Sequence, residues 1–382
     1  MMIFISSALP CPQFHDGATL RVYSLLKEFS KRGEVCFVFT GFGEPEHLYE
    51  SEAFLNFLGI NYWFNDESES FLSVFYKLGC NDLYLSSKVK QAVKDISDKN
   101  PDSVIFIEGL YAAPLVDQIT TSNNIIMSAV DSLSLASQRQ FLIKGNGILT
   151  RFRHGVLFLQ RYLFEKKYYS KFKRVLFVSK DDASYMQKSI TSKCEVVPNG
   201  VDISFFSSER EARYTFNERK FLFTGVLSSS MNEEAALYTI ELLKDKNMQL
   251  VIAGRNPSDK LISRSISGNV KLMQNLPDIR VAFGEWCYFI CPIEYGTGIK
   301  NNVLQALSLG FPCIVSSLIA QPIGLTHGVN ALIYDSRDQL SELIDNLGQF
   351  NISVISQNGI KHINEFFSWS SVADSYLSFK CD

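Results

Sequence analysis

Short runs rich in β-branched and aromatic residues alternate along the chain with longer segments of helical period. This is the pattern of parallel strands joined by crossover helices. In the first half the runs are MIFIS around Ile3, VCFVF from Val35, VIFIE from Val104, NIIMS from Asn124 and RVLFVS from Arg174. In the second they are KFLFT from Lys220, QLVIA from Gln249, NVKLM from Asn269, CYFIC from Cys287 and PCIVS from Pro312. Runs that are apolar throughout suit strands covered on both faces. The series breaks at Pro198, Asn199 and Gly200, where a turn leads into a polar stretch before strand character resumes, so a domain boundary is expected there. The pattern predicts an α/β protein of two doubly wound, Rossmann-like parallel sheets, covering 1–197 and 198–360 and facing a cleft. In such sheets ligands bind outside the carboxyl ends of the strands, so chemistry is sought in the loops that follow them.

Composition narrows the picture without redirecting it. At roughly 150 residues per domain, 382 residues fit two domains, and 46% hydrophobic residues supply two cores. A net charge of −3 argues against a nucleic-acid binder at the scale of the whole chain. Nothing approaches the ~20 apolar residues of a membrane span, and the start MMIFISSALPCP has no basic flank of an export signal. Eight scattered cysteines lack the density of a secreted disulfide scaffold, which suggests a cytoplasmic protein. Cys287 and Cys291 have no neighbouring histidine or third cysteine, so packed thiols are expected there and no metal site is.

Two loops could carry chemistry. After the first run, Gly17 precedes the helix-period residues Leu20, Tyr23, Leu26 and Phe29, with His15, Asp16 and Arg21 alongside. A glycine before a helix lets backbone N–H groups approach an anion or a sugar oxygen, although an ordinary strand-to-helix turn reads the same way. The loop after CYFICPIE is more specific. Gly296, Thr297, Gly298, Ile299 and Lys300 run straight into an apolar helix that carries Gln305. Close-approach glycines, a helix N-terminus and a lysine in its first turn form a plausible cradle for a diphosphate.

The series PNGVD, FLFTG, NEEAALYTIELL, VIAG, LPDIR and CPIEYGTGIKNNVLQALSLGFPCIVS resembles the retaining GT-B glycosyltransferases of family 4, in the branch with a G-x-G-I-K loop that serves bacterial surface polysaccharides. FFSWSSVADSYL is similar to that family's terminal helix, which implies that 361–382 crosses back to the first domain. The resemblance implies a donor site for a nucleotide-diphosphate sugar in the second domain and an acceptor site in the first, with no cofactor and no metal. It assigns Gly298, Ile299, Lys300 and Gln305 to the donor, to which their place in the loops adds Gly17, Gly296, Thr297 and Arg255; His15, Asp16, Arg21 and Glu108 are the acceptor candidates, although as lone residues His15, Asp16 and Arg21 read more readily as solvated. Asp131 and Lys300 would be catalytic. Glu108 and Asp131, at strand ends, read equally as cleft residues or as local structure, Asp131 as a helix cap. Gln305 and Thr297 stand where the family has paired glutamates, and Val226 and Asn232 where it has an arginine and a lysine.

One stretch breaks the charge balance. From Arg139 to Arg174 there are ten Lys and Arg against one acid, Glu165. Leu149, Phe152, Val156, Leu159 and Leu163 repeat at helical spacing and are expected to face the core, leaving Arg151, Arg153 and Arg161 to meet an anionic membrane surface. A merely solvated face reads as well. The expected activity is sugar transfer onto a lipid-linked glycan. The rivals are a non-catalytic GT-B subunit that scaffolds a partner transferase and, less well supported, a nucleotide-sugar epimerase.

Overall fold

The computed structural model describes the chain apart from residues 12–16, 121–123, 143–146, 204–215, 245, 267, 296–298 and 380–382, and the side chain of 148. It divides into two compact units. The first is Met1–Asn199 together with Trp369–Asp382; the second is Gly200–Ser368.

The first unit is a seven-stranded parallel sheet in the order β3-β2-β1-β4-β5-β6-β7. Its strands are β1 (Met2–Ser6), β2 (Val35–Phe39), β3 (Asn61–Phe64), β4 (Val104–Glu108), β5 (Asn124–Val130), β6 (Arg174–Phe177) and β7 (Lys193–Val196). The helices are α1 (Gly17–Ser30), α2 (Pro45–Phe57), α3 (Phe71–Leu78), α4 (Ser87–Lys99), α5 (Leu133–Leu142), α6 (Ile148–Tyr169) and α7 (Lys180–Gln187), with a 3-10 segment over Leu110–Gln118. The central strands β1 and β4 are buried at every residue. Two apolar clusters cover the sheet, one around Ile3, Ile107 and Phe177 and the other around Phe4, Phe29 and Phe106.

The second unit is a six-stranded parallel sheet in the order β10-β9-β8-β11-β12-β13. It comprises β8 (Asn217–Val226), β9 (Gln249–Arg255), β10 (Val270–Gln274), β11 (Cys287–Cys291), β12 (Cys313–Ser316) and β13 (Leu332–Tyr334). Around it lie α8 (Ser230–Lys244), α9 (Asp259–Arg264), α10 (Asn301–Ser308), α11 (Ser317–Ile323), α12 (Arg337–Asp345) and α13 (Ile352–Phe366). The last helix, α14 (Trp369–Ser378), returns to the first unit, where Trp369, Val372, Ala373 and Tyr376 are buried against α1. The returning segment therefore starts at Trp369; residues 361–366 finish α13 of the second unit. The outgoing and returning chain are tied where Val201 N–H donates to the Phe367 carbonyl at 2.7 Å.

All ten anticipated strands are present. The three others, β3, β7 and β13, are edge strands with mixed or short patterns. Cys287 and Cys291 are buried in β11 with free thiols, and among the described residues no His, Cys, Asp or Glu cluster could hold a metal ion.

Candidate functional site

In the second unit the carboxyl ends of β8, β9 and β11 converge with the start of α10. The next-to-last residues of β8 and β9, Gly225 and Gly254, are paired glycines that meet at backbone distance. A Cβ on Gly254 would lie 1.9 Å from the Gly225 carbonyl oxygen, and one on Gly225 would lie 2.9 Å from Asn232 Nδ2. No other residue allows that approach. Lys300 occupies the N-cap position of α10 with extended backbone and supplies no side-chain cap of its own. The helix start is pinned to β8 by Asn302, whose Nδ2 donates to the Thr224 carbonyl at 2.6 Å. Beside it, Thr224 Oγ1 is buried with no hydrogen-bond partner among the described residues. Ile299 packs into the core, while Gln305 sits half-buried on α10. Burial pushes the Cys291 thiol up to about 12 despite the nearby Lys300 ammonium.

Arg255 closes β9 at the same strand ends, half-buried, with its carbonyl accepting from Leu227 N–H. Gly296, Thr297 and Gly298 lie outside the described residues. Asn232, where the resemblance put a lysine, uses its amide to cap the Val226 carbonyl at 3.0 Å. An uncharged, structural contact stands there. What this arrangement can do is offer a helix N-terminus and an ammonium group to an anion resting on close-packed glycine backbone.

In the first unit Gly17 opens α1 and is exposed, whereas His15 and Asp16 lie outside the described residues. Arg21 and Glu108, expected to meet an acceptor, are instead 2% and 4% exposed and pair with each other at 3.2 Å. Arg21 also donates to Asn199 Oδ1 and, at 2.5 Å, to Tyr376 Oη. Ser128 Oγ bonds both Glu108 and Tyr376. Burial pushes the Glu108 carboxyl up against the pull of the guanidinium. These two side chains spend their hydrogen bonds knitting α1, β4, β5 and α14 together, leaving no surface for a hydroxyl.

Asp131 is half-buried just past β5. It does not cap α5: that position belongs to Ser132, whose Oγ accepts from Leu135 N–H at 3.2 Å. The residue before it, Val130, has φ of 68°, a left-handed conformation that costs a β-branched residue about 1–3 kcal/mol. The β5–β6 register shifts at the same point. A cavity of about 880 Å³ lies at the carboxyl ends of β1, β2 and β3, lined by Ser7, Thr19, Phe42, His47, Asn65 and Glu69 among others. Sequence reasoning missed it. The signal was Gly41-Phe42-Gly43, one residue after β2, where a Cβ on Gly41 would sit 2.4 Å from the Ser7 carbonyl.

The basic helix α6 is turned the opposite way from expectation. Leu149, Phe152, Val156, Leu159 and Leu163 face solvent. The inward face pairs the buried Phe164, Tyr168 and Tyr169 with bonded polar groups: Arg161 donates to Ser137 Oγ at 2.8 Å, Tyr162 to Ser189 Oγ at 3.0 Å, and Ser132 and Ser134 donate to Glu165, which is 0% exposed. Arg151 and Arg153 are exposed, but Arg161 is not at the outer surface.

Residues 218–350 match the family described as "Glycosyl transferases group 1". No curated protein matches the sequence. Solved structures similar over nearly the whole chain include HepE (Alr3699) of Anabaena in complex with UDP, at 12% identity and TM-score 0.68, covering 99% of each chain. Sucrose-phosphate synthase of Thermosynechococcus elongatus is similar at 12% identity and TM-score 0.69, covering 99% of this chain and 98% of its own. TarM is similar at 9% identity and TM-score 0.70, covering 100% and 99%. Two parallel-sheet units with flanking helices, matched end to end by these structures, constitute the GT-B fold.

Proposed function

We propose that this protein is a glycosyltransferase that moves a sugar, with retention at the anomeric carbon, from a nucleotide-diphosphate sugar to a hydroxyl of a lipid-linked glycan in cytoplasmic surface-polysaccharide assembly. The observation that carries this reading is Lys300 at the N-terminus of α10, pinned by Asn302 to the glycine-lined end of β8. A departing diphosphate accumulates negative charge, and donors fixed before the reaction stabilise it without reorganisation. Here the donors are the first N–H groups of α10, the Lys300 ammonium and Arg255 at the end of β9. Gln305, on the same helix, has an amide able both to donate to and to accept from a ribose diol. The match of residues 218–350 to the group 1 family and the UDP bound by HepE support a nucleotide-sugar donor.

On the acceptor side, the 880 Å³ cavity of the first unit replaces Arg21 and Glu108 as the place for a glycan. Asp131, held past β5 by the strained Val130, is the carboxylate proposed to meet a reacting hydroxyl. The leaving diphosphate oxygen would take the acceptor proton as the new bond forms on the same face. The cationic helix terminus supplies the charge stabilisation otherwise available from a metal, so turnover is expected to persist in EDTA.

Thermal-shift and calorimetric titration with UDP, GDP, dTDP and CMP tests the donor site, since a ligand at 100 times its Kd raises the stability read by melting by about 2.7 kcal/mol. Binding of one diphosphate supports the reading, and binding of none refutes it. Lys300→Ala is expected to lower kcat by about 10²-fold, the loss typical of one fixed donor, with an unchanged melting curve. A second reading, a GT-B subunit that scaffolds a partner transferase, is favoured by Asn232, which caps a carbonyl where a phosphate cation would stand. Sugar-nucleotide turnover by the isolated chain excludes it.

A further inference from the structure

The outward face of α6 is apolar although every exposed charge on the helix is basic. Leu149 is 85% exposed, Phe152 70% and Leu159 55%, with Val156 and Leu163 completing one stripe. The helix's one acid, Glu165, is buried, and the exposed Arg151, Arg153, Lys166 and Lys167 flank the stripe. The inward hydrogen bonds of Arg161, Tyr162 and Glu165 hold the helix in this rotation, so the stripe cannot turn inward without orphaning them. Alongside, Tyr76 of α3 and Phe164 and Tyr168 of α6 pack on one core cluster, and α3 exposes Phe75 and Leu78.

We propose that the stripe of α6 seats in the interfacial zone of an anionic bilayer, with Leu149, Phe152 and Leu159 below the head groups and Arg151 and Arg153 among them. A helix with an apolar face and a cationic border has the composition of one lying in the membrane plane. Like charge argues against the other simple occupant, a second copy of this chain, because pairing two stripes would bring both sets of cations together. No described helix is long and apolar enough to cross a membrane, so the contact is peripheral. This deepens the lipid-linked acceptor reading but stands on α6 alone, and vesicle binding and nucleotide binding fail separately.

The test is co-sedimentation of the full chain with phosphatidylcholine vesicles, with and without about one-third phosphatidylglycerol, at low and high salt. Wild type is expected to bind the anionic vesicles, and salt to weaken that binding about tenfold while leaving a residue, because only the cationic part is screened. Phe152→Ser with Leu159→Ser should lower partition more than tenfold and remove the salt-resistant part. Its UDP titration and circular dichroism should match wild type, since both side chains lie outside the core. Phe152→Trp provides a direct readout: its emission should shift to the blue and be quenched by lipids brominated in the acyl chain. Wild-type partition by the double variant, unquenched emission, or equal binding to neutral vesicles overturns the proposal. So does a solution dimer that the double variant converts to monomer.

Discussion

Arg21 and Glu108 show what a sequence conceals about a polar residue. Each lies near a strand end or a helix start, where ligands bind, yet both are enclosed and satisfy one another across 87 positions of chain. Removing one partner of such a pair strands the other, at a cost of about 3–5 kcal/mol. Arg21→Met is therefore expected to lower the stability of the first unit by that order, and Arg21→Met with Glu108→Leu to restore much of it, as chemical denaturation will show. Glu165 carries a pH dependence of definite sign. Burial pushes its carboxyl up to about 7 against the hydrogen bonds of Ser132 and Ser134. Because the folded value exceeds the unfolded one, its contribution is present below the unfolded pKa and is lost as pH rises through about 7. Glu165→Gln, which imitates the protonated form, should stabilise the protein at pH 8, by at most about 3 kcal/mol, and change little near pH 5.

Elements were legible where one local force dominates. Strands covered on both faces, such as β1, β4 and β11, read as unbroken apolar runs. The edge strands β3 and β7 did not, because one side of each faces water and their sequences, NYWF and KCEV, carry no clear period. The α10 terminus was legible because strand, glycines and helix follow one another within a single loop. α6 failed differently: its 3.6-residue period was correct, but the period marks two faces without saying which is inward. Tertiary hydrogen bonds to α5 and to Ser189 beyond α7, together with burial of Phe164, Tyr168 and Tyr169, chose the inward face. At the β8–β9 junction the geometry sets a sharp expectation. Gly254→Ala would drive a methyl group into the Gly225 carbonyl, so the strand ends must part. We expect a loss of roughly 1–3 kcal/mol, as overpacking costs, together with loss of nucleotide binding. Gly268→Ala, with open space around its Cβ, is the matched control.

At the scale of the molecule, the chain passes between units at Asn199–Gly200 and again at Ser368–Trp369, and α14 completes the core of the unit where the chain began. Tyr376 bonds Arg21 and Ser128 and packs at 5.3 Å from the Phe106 ring. A chain ending at Ser368 loses Trp369, Val372, Ala373 and Tyr376 from that core. It is expected to show one of two melting transitions displaced downward by many degrees, or absent, with the second transition and its nucleotide-induced shift retained. A uniform loss of both transitions would show that the two units do not melt independently.

The sequence by itself determined the strand–helix alternation, the two-sheet architecture and the strand–glycine–helix loop before Gln305, because each depends on neighbours a few residues apart. Only the tertiary structure decided which polar side chains are spent internally, which face of α6 meets solvent, and that the first unit's cavity forms beside Phe42 and Gly43. Those outcomes depend on partners tens to hundreds of positions away, which folding brings together and the local pattern does not encode.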